Sequence, residues 1–168
     1  KAGHYANEVL PIHDRSGALY AADDGVREDS TVENLAKLKP FFDRKYGNVT
    51  AGNSSQVTDG GAWVIVASQR AVDEHKLTPI GRIVDSQWAG LDPAQMGLGP
   101  VHATPAALQH AGLSLADMDL VEINEAFAAQ VLGCLRAFGD DAYCRTELGL
   151  DGALGAIDLD RVNVNGGA

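Results

Sequence analysis

The sequence has 168 residues, 45% of them hydrophobic and 21% charged, the composition of a globular chain rather than a disordered or fibrous one. With 23 acidic against 13 basic residues the formal charge is −10 and no basic patch stands out, which argues against a nucleic-acid or anionic-membrane surface. No apolar run approaches the roughly 18 residues of a membrane helix, and the N-terminal KAGHYANEVLPI lacks the charged-then-apolar pattern of a secretion signal, so the sequence reads as soluble.

The first fifty residues are polar and broken by glycines. Within them Ser30 and Glu33 have capping-box spacing, and Val32, Leu35, Ala36 and Leu38 predict a short helix that stops before Pro40. TAGNSSQVTDGG, a string of small turn formers, leads into AWVIVAS, which reads as a short buried strand. Ser68 is placed to cap a helix over QRAVDEHK, with a break before Pro79. Ile80, Ile83 and Val84 in TPIGRIVDSQWAG then suggest a second strand and the start of a new unit. Thr104 and Pro105 mark the start of a helix through AALQHA that stops at Gly112. DLVEI (119–123) reads as a strand. It is followed by a helix whose apolar stripe holds Phe127, Val131, Cys134, Leu135 and Phe138. Residues 139–160 form a long, partly helical connection, and RVNVN is the last strand. This strand–helix alternation predicts an α/β fold.

Asn124 sits at the junction between the DLVEI strand and its helix. Two readings compete there. Strand ends in open α/β sheets are where ligands bind, yet Asn is also a favoured N-cap that satisfies orphan helix amides. Glu125 has a similar ambiguity, as a possible base or as a charge complementing the positive end of a helix. Cys134 and Cys144 are too few to staple a chain of this size and lack metal-ligand spacing, which fits a reducing, cytoplasmic compartment. The five histidines, His4, His13, His75, His102 and His110, lack the spacing of a dyad or metal site and read as non-catalytic.

Three stretches taken in order resemble the thiolase family: TAGNSSQVTDGGAWVIVAS (50–68), MGLGPVHATPAAL (96–108) with INEAFAAQ (123–130), and NVNGGA (163–168). The 27–42 stretch precedes them at matching spacing. The resemblance implies a layered αβαβα fold in the complete protein, only partly covered by this chain. Residues 1–49 would end a CoA-covering loop region, 50–76 would end the N-terminal half-domain, and 77–168 would begin the C-terminal half-domain. The family's nucleophilic cysteine, Gly-His-Pro and Cys-x-Gly motifs are not found, so the expectation is an interior fragment that is inactive by itself.

The resemblance also implies roles. Arg27 matches a guanidinium that stacks on the adenine of CoA, and Ser55 matches a residue that meets the pantetheine arm, with small Ala51 and Gly52 letting the backbone approach. Phe42, Met96 and Phe127 match the lining of the acyl and pantetheine pocket. Asn124 matches the residue that holds an oxyanion-hole water, which tips its reading from cap to catalysis. The implied reaction is ping-pong cysteine chemistry: thiolytic cleavage of 3-ketoacyl-CoA, or the reverse Claisen condensation of acetyl-CoA units. CoA is then a substrate, no resident cofactor or metal is expected, and the complete protein is a homodimer or homotetramer acting in fatty-acid metabolism, including β-oxidation. The alternatives are a thiolase-like acyl-CoA or lipid-binding protein without catalysis and, last, a ketoacyl synthase of the wider superfamily.

Overall fold

The computed structural model describes residues 3, 5–22 and 25–166. In chain order the regular elements are β1 (Ile12–His13), β2 (Leu19–Tyr20), α1 (Val32–Leu35), α2 (Gln69–His75), α3 (Gly99–Ala111), α4 (Ala128–Phe138) and α5 (Asp141–Leu148). Single 3₁₀ turns occupy Ala51–Asn53, Leu115–Asp117 and Leu159–Arg161, and two successive turns kinked at Gln95 occupy Pro93–Leu98. β1 and β2 pair antiparallel, Ile12 opposite Tyr20, around a turn in which Asp14 Oδ1 accepts from the Ser16 amide and hydroxyl and the Ala18 amide.

One core orders the second half of the chain. Val131, Cys134, Ala137 and Phe138 recur at helical spacing along α4 and are all buried. They pack with Val101 and Leu108 of α3, Leu115 and Ile123, while Leu98, Leu135, Tyr143 and Leu148 close the periphery. Of the predicted stripe, Leu135 lies at this periphery and Phe127 lies just before the helix. Gly112, at φ 67°, ends α3 in a left-handed turn that favours glycine. Ser68 caps α2 as expected, its Oγ accepting from the Ala71 amide at 3.2 Å.

Other expectations are corrected. The cap of α1 is Thr31, whose Oγ1 accepts from the Asn34 amide, whereas Ser30 turns back and donates to the Arg27 carbonyl. α3 begins six residues before Pro105: Pro100 is its N-terminal proline, placed where a missing amide costs nothing, and Pro105 lies in the helix interior. AWVIVAS and the stretch from Ile80 to Val84 form no strand. Trp63, Val64, Ile65 and Val66, like Ile80, Ile83 and Val84, stand exposed. A buried strand needs paired neighbours and covered faces, and among the described residues none flanks these runs. DLVEI and RVNVN meet only at one parallel bridge, Val121 with Val162.

Both cysteines are fully buried. Cys134 Sγ donates to the Gly97 carbonyl at 3.3 Å, and burial pushes its thiol up from the usual cysteine range. Cys144 Sγ donates to the Ala137 carbonyl at 3.3 Å. In the folded protein at neutral pH both thiols are expected to react with an aromatic disulfide reagent at least about a hundredfold more slowly than after unfolding. A fast, stoichiometric thiol in the native protein would contradict this packing. Trp63 and Trp88, 96% and 86% exposed, are expected to emit like free indole in water and to be fully accessible to a neutral quencher. A blue-shifted, shielded emission from the folded chain would show that these runs are covered.

Candidate functional site

The site is built around the extended segment 123–127 that feeds α4. Phe127 occupies the N-cap position with φ −146° and makes no side-chain cap bond, so the helix begins four residues beyond Asn124. Asn124 is not a cap, and its exposed side chain makes no hydrogen bond to any described residue. Glu125 likewise precedes the first helical turn, so it does not serve the helix dipole; instead its Oε1 accepts from Asn163 Nδ2 at 2.6 Å.

Three further segments converge on this one. Ser54 forms an antiparallel bridge with Phe127, and the Ser55 amide donates to the Ala126 carbonyl at 2.9 Å. The turn that carries Ala51 is rigid: the Thr50 amide donates to Asn53 Oδ1 and the Gly52 amide to Thr50 Oγ1. The smallness of Gly52 serves its packing against Leu35 and Leu38. A Cβ built there would lie 2.6 Å from Leu35 Cδ2 and 2.8 Å from Leu38 Cδ1, closer than real side chains come. Gln56 Nε2 then donates to the Gly25 carbonyl at 2.6 Å, which fastens the loop carrying exposed Arg27 to the residue after Ser55. Phe42 meets Phe127 edge to face with ring centroids 6.5 Å apart, and Phe41 stacks on Phe42 in the same manner at 5.1 Å.

Ser54 and Ser55 and the Phe42 ring thus meet the 126–127 end of the segment that carries Asn124, and the loop of Arg27 is tied to this group through the Gln56–Gly25 bond. Ala51 lies one turn back on the loop of Ser54 and Ser55. Met96 is exposed in the Pro93–Leu98 turn, which packs on α4 next to Gln130: a Cβ on the adjacent Gly97 would sit 3.0 Å from Gln130 Cγ. No contact joins Met96 to the phenylalanine pair, only a common end of α4.

The histidines lie elsewhere. His4 falls outside the described residues, while His13 and His75 are exposed. His102 Nε2 lies 3.0 Å from the Tyr143 hydroxyl, and burial is the main cause that raises that phenol above its usual range. His110 Nδ1 lies 3.2 Å from Asp85 Oδ2 and 2.9 Å from Gln87 Nε2, in the last turn of α3. These pairs are far apart in sequence, so spacing did not reveal them, and neither borders Asn124. Among the described residues no group of acidic, histidine or cysteine side chains is arranged to hold a metal ion.

Sequence reasoning missed Asn163 as a member of the site. Its carboxamide accepts from the Ile123 amide at 2.8 Å and donates to the Ile123 carbonyl at 2.9 Å, in addition to Glu125. The available signal was an Asn preceding a Gly-rich turn in NVNGGA, a residue type tolerant of the left-handed conformation.

Comparison with known proteins identifies the family. Residues 1–70 match the family description "Thiolase, N-terminal domain" and residues 77–168 match "Thiolase, C-terminal domain". The 3-ketoacyl-CoA thiolase of Colwellia psychrerythraea (strain 34H) is 44% identical over 168 residues, which are 99% of this chain and 39% of the relative. Among solved structures, human mitochondrial 3-ketoacyl-CoA thiolase in complex with CoA gives a TM-score of 0.79 at 45% identity, covering 99% of this chain and 37% of that one. The dimeric peroxisomal thiolase of Saccharomyces cerevisiae gives 0.81 at 40% identity, covering 99% and 38%. The chain spans about two fifths of the length of the curated relative and carries that part of the thiolase α/β fold. Matched in both of its parts by the two family descriptions, and alike in structure along 99% of its length, the chain belongs to the thiolase family.

Proposed function

We propose that the complete polypeptide containing this chain is an acyltransferase that cleaves 3-ketoacyl-CoA with CoA or, in reverse, condenses acetyl-CoA units. The observation that carries the reading is that the Gln56–Gly25 and Ser55–Ala126 hydrogen bonds bring the loops of Arg27 and Ser55 to the segment that bears Asn124. In this reading Arg27 stacks on adenine, and Ser55, with Ala51 beside it, meets the pantetheine arm. Phe42, Phe127 and Met96 line the acyl end. Asn124, with an exposed amide, holds a water toward the thioester oxygen. Negative charge develops on that oxygen during condensation, and a donor fixed in advance stabilises the transition state more than the ground state.

The acyl group in this mechanism passes through a cysteine, and the buried Cys134 and Cys144 are not that residue. The nucleophile is assigned to the complete polypeptide. Support for the substrate class comes from the relatives, named 3-ketoacyl-CoA thiolases, one of them solved with CoA. We further propose a homodimer or homotetramer, supported by a yeast relative described as dimeric, and a cytoplasmic enzyme of fatty-acid metabolism, including β-oxidation, with CoA as substrate and no resident cofactor. Residues 1–49, 50–76 and 77–168 are proposed as the end of a covering loop, the end of one half-domain and the start of the next.

Thiolysis by the complete polypeptide, followed through loss of the ketoacyl-CoA enolate absorbance, tests the activity; CoA binding with no turnover would favour a binding protein instead. Asn124→Ala is expected to lower kcat by about 10²–10³ and to leave the melting temperature unchanged, because Asn124 caps no helix. Asn124→Asp should fold as well and be equally slow, since it sets a negative charge beside the developing oxyanion. Parent-like rates for both variants would end the catalytic assignment. Arg27→Ala should raise KM for CoA substrates between several-fold and about thirtyfold, the worth of a cation–π contact, with little change in kcat. An unaltered KM would remove Arg27 from the site.

A further inference from the structure

Asn163 is the residue whose placement the thiolase reading does not use. Val121 pairs with residues 161–163 as in a parallel ladder: its amide donates to the Arg161 carbonyl at 2.9 Å, and its carbonyl accepts from the Asn163 amide at 3.0 Å. The next rung would run from the Ile123 amide to the Asn163 carbonyl. That rung is unavailable because Asn163 has φ 49°, in the left-handed region, and its carbonyl instead accepts from the Gly166 amide at 2.9 Å. The side chain replaces the missing backbone. Oδ1 accepts from the Ile123 amide at 2.8 Å, and Nδ2 donates to the Ile123 carbonyl at 2.9 Å and to Glu125 Oε1 at 2.6 Å.

One carboxamide therefore grips the residues on both sides of Asn124. Ile123 is also anchored by its buried side chain, which leaves the exposed Asn124 side chain between two fixed points. We propose that Asn163 is a positioning residue that holds Asn124 in its working orientation through this straddling clamp; as a statement about catalysis, this rests on the function proposed above. The chemistry is selective. The position needs a residue at ease with positive φ, one acceptor and a donor reaching two acceptors, all one carbon from the backbone. Asparagine meets every condition. Glycine keeps the conformation and loses the group, and aspartate keeps the conformation and the acceptor but turns a carboxylate toward Glu125.

Two readouts on the complete polypeptide test the clamp. In Asn163→Gly, which retains the backbone conformation, the Ile123 amide should exchange with solvent roughly tenfold faster or more, while the Val121 amide, bonded to backbone, changes far less. Its kcat for thiolysis should fall about tenfold or more with KM within about twofold. Asn163→Asp should lose at least as much kcat, and adding Glu125→Gln should recover part of it, because the new amide donates to the aspartate. Unchanged Ile123 exchange in Asn163→Gly overturns the clamp, as does a loss confined to KM or a double variant no faster than Asn163→Asp. If neither Asn163 variant folds, the unmodified protein decides: an Ile123 amide that exchanges as fast as that of Asn124 overturns the proposal. An unmodified polypeptide that performs no thiolysis refutes the proposed function instead, and exchange alone then judges whether Asn163 fixes the segment.

Discussion

Burial of the α4 stripe fixes the segment that leads into the helix, and the other parts of the site hang from that segment. Val131, Cys134, Ala137 and Phe138 face α3, α5 and the Pro93–Leu98 turn, and each large apolar side chain so buried stabilises the fold by about 1.5–3 kcal/mol. The site itself contributes little to that core. It consists of an extended lead-in to the helix, to which loops from distant parts of the chain are attached one hydrogen bond at a time. Displacing α4 would move Phe127, and with it the bridge to Ser54, the ring contact with Phe42 and the path to Asn124.

Apart from the bond from Asn163 to the Glu125 carboxylate, the side-chain ties at the site are neutral. Gln56 to Gly25, Asn53 to Asn48 and Asn163 to Ile123 are carboxamides bonded to backbone carbonyls. Turns elsewhere close on carboxylates: the Ser16 hydroxyl holds Asp14, and the Tyr46 amide holds Asp43, below the usual range for aspartate. A carboxamide does not titrate, and it both donates and accepts. In a chain carrying a formal charge of −10, these neutral ties add no negative charge beyond that of Glu125 to the surface around Asn124, where an anionic CoA is proposed to lie.

Features set by a few neighbouring residues were legible in the sequence. The Ser68 cap, the Gly112 stop and the period of α4 are local, and all three are found. α3 was half legible, because Pro100 and Pro105 both qualify as N-terminal prolines and only the packing of Val101 selects the earlier one. AWVIVAS has the composition of a buried strand, but a strand takes its pairing from other segments, and composition does not supply them. At the site, resemblance named the residues while their joining was not readable. Asn124 looked like a cap because Asn usually is one next to a helix. What excludes it is the pairing of Phe127 with Ser54, which postpones the helix. Asn163 was hidden for a related reason, since its role arises only when residues forty positions apart come side by side.

The core assembles from one uninterrupted stretch, Leu98 to Ile157, whereas the site joins Ser55 to Ala126. The first requires closing short connections such as the one between α3 and α4, about sixteen residues; the second closes a loop of about seventy, which costs roughly 1 kcal/mol more in chain entropy. A single backbone bond, a bridge and a ring contact repay that difference narrowly. Thermal opening therefore has a preferred order: the loop bearing Ser55 lifts from α4 while the helices stay packed, so the surface around Asn124 has its own local melting equilibrium, distinct from unfolding of the domain.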